Sequence, residues 1–147
     1  MKVLHIVATA MAVTCSAQIG VAHEDVKDPN VKQRMMLMSE VGANTKTLGK
    51  MAKGAQPFDA ASAQAALAKI AELSKAAPAA FEVQGDDPKT EALPVIWDEF
   101  DNFTDLSMKL SADAEMLAGQ VNTLDDLRAN MALIGRGCKA CHSKYRE

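Results

Sequence analysis

Aromatic side chains are scarce in this sequence of 147 residues: one Trp, one Tyr and four Phe, 4 % of the chain. Strands favour aromatic and β-branched residues. A chain whose 48 % apolar content rests on Ala, Leu and Met is therefore expected to be helical. The longest apolar run, Val3 to Val13 apart from His5 and Thr9, falls short of the about 20 residues that cross a bilayer. No basic patch is evident either, with 16 Lys and Arg spread among 19 Asp and Glu for a net charge of −3. An acidic chain of that kind repels polyanions, so neither nucleic acid nor an anionic membrane is expected as a partner. Cysteine is scarce too, with three in all; in an oxidising compartment cysteines usually suggest a disulfide, a reading that an adjacent histidine changes.

The first 22 residues read as a secretory signal peptide. Met1-Lys2 is a short basic start, the apolar run follows, and charge resumes at His23-Glu24-Asp25. Cleavage after Ala22, with Gly20 at the minus-three position, fits best; cleavage after Ala17 is the alternative. An N-terminal helix of the folded domain is the competing reading, but the segment lacks an amphipathic period and a cap. Cys15 lies inside it and is expected to be discarded. Residues 23–147 then form one exported domain, placed in the periplasm, with no membrane insertion after cleavage. Cleavage removes Lys2 and no acid, so the charge moves from −3 to −4.

Four helices and no strand are expected in the domain. The first starts at Asp28-Pro29, a side-chain cap with proline behind it, and ends near Lys53 before Gly54 and Pro57. The second runs from Asp59 to about Ala77, before Pro78. A polar loop spans Glu82 to Thr90. The third helix runs from about Leu93 to Ala118, and the fourth from Thr123, whose Thr-x-x-Asp is close to a capping box, to about Tyr145. Leu124, Leu127, Met131, Ile134, Cys138, Cys141 and Tyr145 recur at alternating steps of three and four, a bundle seam. Short links between long amphipathic helices imply an all-α, antiparallel up-down-up-down four-helix bundle. Met51, Met108, Met116 and Met131 read as core.

Both cysteines remaining after cleavage belong to Cys138-Lys139-Ala140-Cys141-His142. On a helix, positions i, i+3 and i+4 share a face. Cys138 and Cys141 can thus reach two vinyl groups on one porphyrin edge, while His142 points a ring nitrogen at the iron. C-x-x-C-H is the signature of covalent c-type haem attachment. A thioredoxin-like pair needs a βαβ pattern, which is missing, and a zinc site needs further Cys or His ligands than His23 supplies. No nucleophile–base pair or phosphate loop suggests an enzyme. For the second axial position a methionine is the remaining common choice. Met38 lies nine residues past Pro29 and Cys138 nine residues before the chain end, so both fall roughly 13 Å from the same end of the bundle. Met38 reads either as an iron ligand or as a packing neighbour. Arg34, one turn before it, reads as a partner for a haem propionate or as a solvated surface arginine.

At the level of whole motifs the chain resembles the cytochrome c′ family, the class II c-type cytochromes. The resemblance rests on Arg34 and Met38, on Lys53-Gly54-Ala55-Gln56-Pro57-Phe58-Asp59, on Pro94-Val95-Ile96-Trp97, and on Gly137 to Arg146 with its C-terminal haem motif. It implies one covalently attached haem c. The family has a high-spin branch, open at the sixth position and binding NO or CO, and a low-spin branch closed there by a methionine of the first helix and carrying electrons. The stretch from Met38 through Gly42 to Leu48-Gly49-Lys50-Met51-Ala52-Lys53-Gly54 looks more like the low-spin branch. The expectation is therefore an electron carrier with Cys138, Cys141 and Arg34 holding the haem, His142 and Met38 on the iron, and redox proteins as partners. The alternative is a five-coordinate protein that binds NO or CO. Pairing of two chains through the first two helices is common in the family and stays open here.

Overall fold

Three of the four long helices begin at a side chain that offers its oxygen to unpaired backbone N–H groups. In the computed structural model, which describes residues 25–147, the carboxylate of Asp28 accepts from the N–H of Asn30 (2.8 Å) and Val31 (3.0 Å) and starts α1, Pro29–Ala52. Asp59 accepts from Ser62 N–H (2.8 Å) and starts α2, Ala60–Ala80. Thr123 and Asp126 form a full capping box at α5, Leu124–Tyr145. Gly54, at φ +73°, turns the chain out of α1 in the left-handed conformation that glycine adopts without strain. The expected signal peptide over residues 1–22, together with Cys15 and His23, lies outside the described residues.

Two boundaries differ from expectation. The second helix does not stop before Pro78 but continues to Ala80. A proline inside a helix lacks the N–H that would serve the carbonyl four residues back. Here that carbonyl belongs to Ser74, and the hydroxyl of Ser107 donates to it at 2.7 Å from the neighbouring helix. The third expected helix is broken into α3, Val95–Asp98, and α4, Phe100–Ala118, at Glu99 (φ −125°, ψ 38°). Tyr145 Oη donates to Glu99 Oε2 at 2.9 Å and Lys144 pairs with the same carboxylate, so the end of α5 holds the break in place.

The helices α1, α2, α4 and α5 form the antiparallel four-helix bundle. α2 packs against α4 and α1, and α5 packs against α4 and, less closely, α1. α1 and α4 therefore stand diagonally across the bundle. Small side chains make the α2–α4 approach close, and Ser111 Oγ donates to Ala71 O (2.8 Å) across it. The core has two parts. One gathers Leu48, Met51, Leu67, Ile70, Leu117, Leu127 and Ile134; the other gathers Phe81, Ile96, Phe103 and Tyr145 near the chain terminus. Met51 is buried as expected, and Met131 packs at the edge of the first cluster. Met108 and Met116 are instead exposed. They lie eight residues apart on the side of α4 facing away from the seam of Ser107, Ser111, Ala114 and Leu117. No helix among the described residues is long and apolar enough to cross a membrane.

Candidate functional site

Between α1 and α5 the two core clusters part, and a cleft with two adjoining lobes of about 440 Å³ and 760 Å³ opens. Met38, Gly42, Phe103, Cys141, His142 and Arg146 line both lobes. Cys138 lines the larger lobe and Arg34 the smaller. All five residues singled out from the sequence thus surround one cavity: Arg34 and Met38 from α1, and Cys138, Cys141 and His142 from the last turns of α5.

The seam periodicity of α5 explains how its three residues come together. Cys138 and Cys141 continue the row from Leu127 through Ile134, and His142 stands one turn past Cys138. Gly137 lets α5 lie close to α4, since a Cβ there would meet Leu110 Cδ1 at 2.9 Å. Both cysteines are half-buried and neither is in a disulfide. Burial raises the pKa of Cys138, and burial followed by the neighbouring Cys138 raises that of Cys141 to about 11. Both thiols are therefore protonated at neutral pH. The imidazole of His142 is shifted the other way, first by burial and then by repulsion from Arg146, against a weaker pull from Glu91. The neutral ring that results keeps a lone pair free for a metal.

Arg34 is not a solvated surface residue, for it is 2 % exposed. Its Nη1 donates to the carbonyls of Val83 (3.3 Å) and Gln84, and its Nη2 to Thr90 Oγ1 (3.0 Å). The guanidinium carbon lies 5.5 Å from the Phe81 ring centre and 5.3 Å from that of Trp97. Only Nε, buried, has no hydrogen-bond partner among the described residues. Arg34 thereby ties α1 to the loop after α2. The same loop holds Asp87, whose carboxylate accepts from the N–H of Lys27 (2.7 Å), Asp28 (3.3 Å) and Lys89 (2.9 Å). A single antiparallel bridge between Ala92 and Arg146, with Glu91 paired to Arg146, clips the loop to the end of α5.

A c-type haem fits these residues. Two thiols at i and i+3 and an imidazole nitrogen line one largely apolar cleft, the donor set that such a group needs, and the Met38 side chain lines it from α1. A Cβ built on Gly42, which lines both lobes, would meet no atom within 4 Å, so α1 is flat where a ring would lie. Arg34 lines the smaller lobe, and its buried Nε is unpartnered among the described residues. Among the described residues no group of three or more His, Cys, Asp and Glu could hold a metal by itself. Phe81, Ile96, Phe103 and Tyr145 also line the smaller lobe. They were not singled out from the sequence as site residues, although Tyr145 closes the seam row of the last helix, and Arg146, four residues after His142, shares its face.

Comparison with known proteins agrees with this geometry. Residues 29–146 match the family model described as Cytochrome C′. The chain is 36 % identical over 146 residues to a cytochrome c′ of Rhodopseudomonas palustris, covering 97 % of this chain and 96 % of that protein. It is 40 % identical over 114 residues to a cytochrome c-556 of Agrobacterium tumefaciens, covering 77 % and 90 %. The solved structure of cytochrome c′ from Rhodopseudomonas palustris superposes with a TM-score of 0.77 at 35 % identity, over 82 % of this chain and 98 % of that one.

Proposed function

The chain belongs to the cytochrome c′ family, whose members carry one covalently attached haem c, and from that premise we propose that it is an exported, periplasmic electron carrier rather than an enzyme. Cys138 and Cys141 take the two thioether bonds. His142 and the sulfur of Met38 would hold the iron. Arg34 offers its free Nε to a propionate. When bound, haem supplies a one-electron ferric–ferrous couple; a histidine–methionine ligand pair raises its potential.

The observation that carries this reading is the position of Met38. It lines both lobes of the cleft, as Cys141 and His142 do. It packs with the cluster that contains Cys141, and no histidine besides His142 occurs among the described residues. Met35 lines only the smaller lobe and Met36 is 53 % exposed, so neither competes for the site shared by both lobes.

Absorption spectroscopy of the purified holoprotein tests this. Wild-type ferric protein should be low-spin, with the weak near-infrared band of sulfur–iron ligation, and the ferrous form should bind CO slowly. Met38→Ala should convert the spectrum to high-spin and speed CO binding; Met36→Ala should change neither. A wild-type spectrum already high-spin, and unchanged in Met38→Ala, would overturn the assignment and make this a binder of NO or CO with Met38 as a steric gate.

A further inference from the structure

The linear sequence shows no basic patch, yet the fold assembles one beside the cleft. Residues 41–58 and 127–146 contain no Asp or Glu. In the first stretch Lys46, Lys50 and Lys53 are exposed and all three line the larger lobe. Their spacing of i, i+4 and i+7 puts them in one stripe. On α5, Arg128, itself paired to Asp125 at 3.7 Å, reaches across so that its Nε donates to Ala52 O at 2.9 Å, next to Lys53. Arg146 lines both lobes, and Lys139, exposed, follows Cys138 in the sequence. Lys46, Lys50, Lys53 and Lys139 pair with no carboxylate among the described residues. Acidic residues collect elsewhere. Asp98, Glu99, Asp101, Asp105, Asp113 and Glu115 lie on the α3–α4 segment with Lys109 as its one base, diagonally across the bundle from α1.

This separation is not neutral for the fold, because like charges three and four residues apart on one helix face repel and weaken the helix. Between the lysines and Cys138 the surface is small and flat, with Gly42 and Gly49 open to a Cβ on every side. An apolar centre with a charged rim is the anatomy of a transient protein interface. At physiological ionic strength charges are felt over about 8 Å, so a visitor to the larger lobe, whose lining holds Lys46, Lys50, Lys53 and Arg146 and no carboxylate, meets the cations first.

We propose that this rim is the docking surface for an acidic redox protein, which approaches the α1–α5 cleft to exchange one electron. The proposal rests on the electron-carrier reading. It selects a protein over a lipid surface because the partner must bring its own redox centre to the lip of the cleft. One electron leaves the reduced cytochrome and reduces the acceptor by one; no proton or bond is exchanged.

The test reads the sign of a salt effect. Reduced holoprotein is mixed with hexacyanoferrate(III) at increasing ionic strength, and its oxidation is followed by stopped flow. The local rim predicts a rate that falls about tenfold as salt screens it. The net charge, −3 for the whole chain and −4 without Lys2 of the expected leader, predicts the reverse, two anions whose rate rises with salt, and that result overturns the proposal. The triple variant Lys46→Glu, Lys50→Glu, Lys53→Glu should invert the salt dependence, while Lys75→Glu on α2 should preserve it. The neutral series Lys46→Gln, Lys50→Gln, Lys53→Gln, which should abolish most of it, serves if the reversed set fails to fold. Titration of ¹⁵N-labelled ferrous holoprotein with poly-L-glutamate, as a stand-in for an acidic protein surface, should move amide signals of residues 46–53 and 128–139; movement confined to other residues overturns the assignment. Binding to phosphatidylglycerol vesicles at physiological salt would assign the face to a membrane and likewise overturn it. The absorption spectrum separates the two readings. A high-spin wild type defeats Met38 ligation while the salt test stays readable; a low-spin wild type whose rate rises with salt defeats the docking surface alone.

Discussion

Arg34→Met removes a buried guanidinium while keeping most of its aliphatic stem. The wild-type group makes three hydrogen bonds, to Val83 O, Gln84 O and Thr90 Oγ1, and lies over Phe81 and Trp97. Hydrogen bonds to a charged group contribute about 1.5–3 kcal/mol each, and the ring contacts add about 1 kcal/mol. Against this stands the cost of burying the cation, the same desolvation that lowers its pKa. The variant leaves two loop carbonyls and a threonine hydroxyl to find water, so the net loss should be about 2–4 kcal/mol. For a domain of this size that is a fall in Tm of about 8–16 °C. Arg34→Lys, a point donor that cannot span three acceptors, should fall between the two. Calorimetry of the holoproteins measures this, with Thr90→Val, which removes only one acceptor, expected to cost about 1 kcal/mol. A fall of less than about 2 °C in Arg34→Met would refute the loop-anchoring argument. Voltammetry on the same samples reads the haem role. If Nε meets a propionate, loss of the cation favours the ferric state and the potential drops. A lowered Tm with an unchanged potential would leave Arg34 as a loop anchor only.

Three further outcomes are expected. Cys138→Ala and Cys141→Ala should each lose stable covalent haem, seen on denaturing gels stained for haem peroxidase activity; a haem-free wild-type band from a host able to mature c-type cytochromes would contradict the attachment site. Ser107→Ala should cost about 1–2 kcal/mol because it strips the Ser74 carbonyl of its donor. That cost should shrink in a Pro78→Ala background, where the helix supplies its own N–H, and an equal cost in both would refute the compensation. The carboxyls of Asp28 and Asp87 are held below their ordinary value of 3.8 by backbone N–H donors, chiefly from Val31 and Asp86 for the first and from Lys89 and Lys27 for the second. A depressed native pKa contributes stability that is complete above 3.8 and lost as pH falls through the native value. Melts followed by circular dichroism should therefore hold steady down to about pH 4 and decline below it, less steeply in Asp87→Asn.

What the sequence determined by itself is whatever depends on neighbours three or four residues apart. Asp28, Asp59 and Thr123 cap helices by reaching their own first turns, and the row from Leu124 to Tyr145 marks a buried face because a helix repeats every 3.6 residues. The Cys138, Cys141 and His142 spacing is of the same local kind, and so the haem motif was legible before any fold was known. What only the tertiary structure decided depends on residues far apart in the chain. Pro78 looks like a helix stop until Ser107, 29 positions later, supplies the missing donor. Glu99 looks like the interior of a helix until Tyr145 and Lys144 pull on its carboxylate. Met108 and Met116 look like core until the seam of α4 is seen to pass them by. The basic rim is the largest such effect. Lys46, Lys50 and Lys53 share one cleft with Cys138 and Arg146, far along an acidic chain, only because α1 and α5 pack side by side.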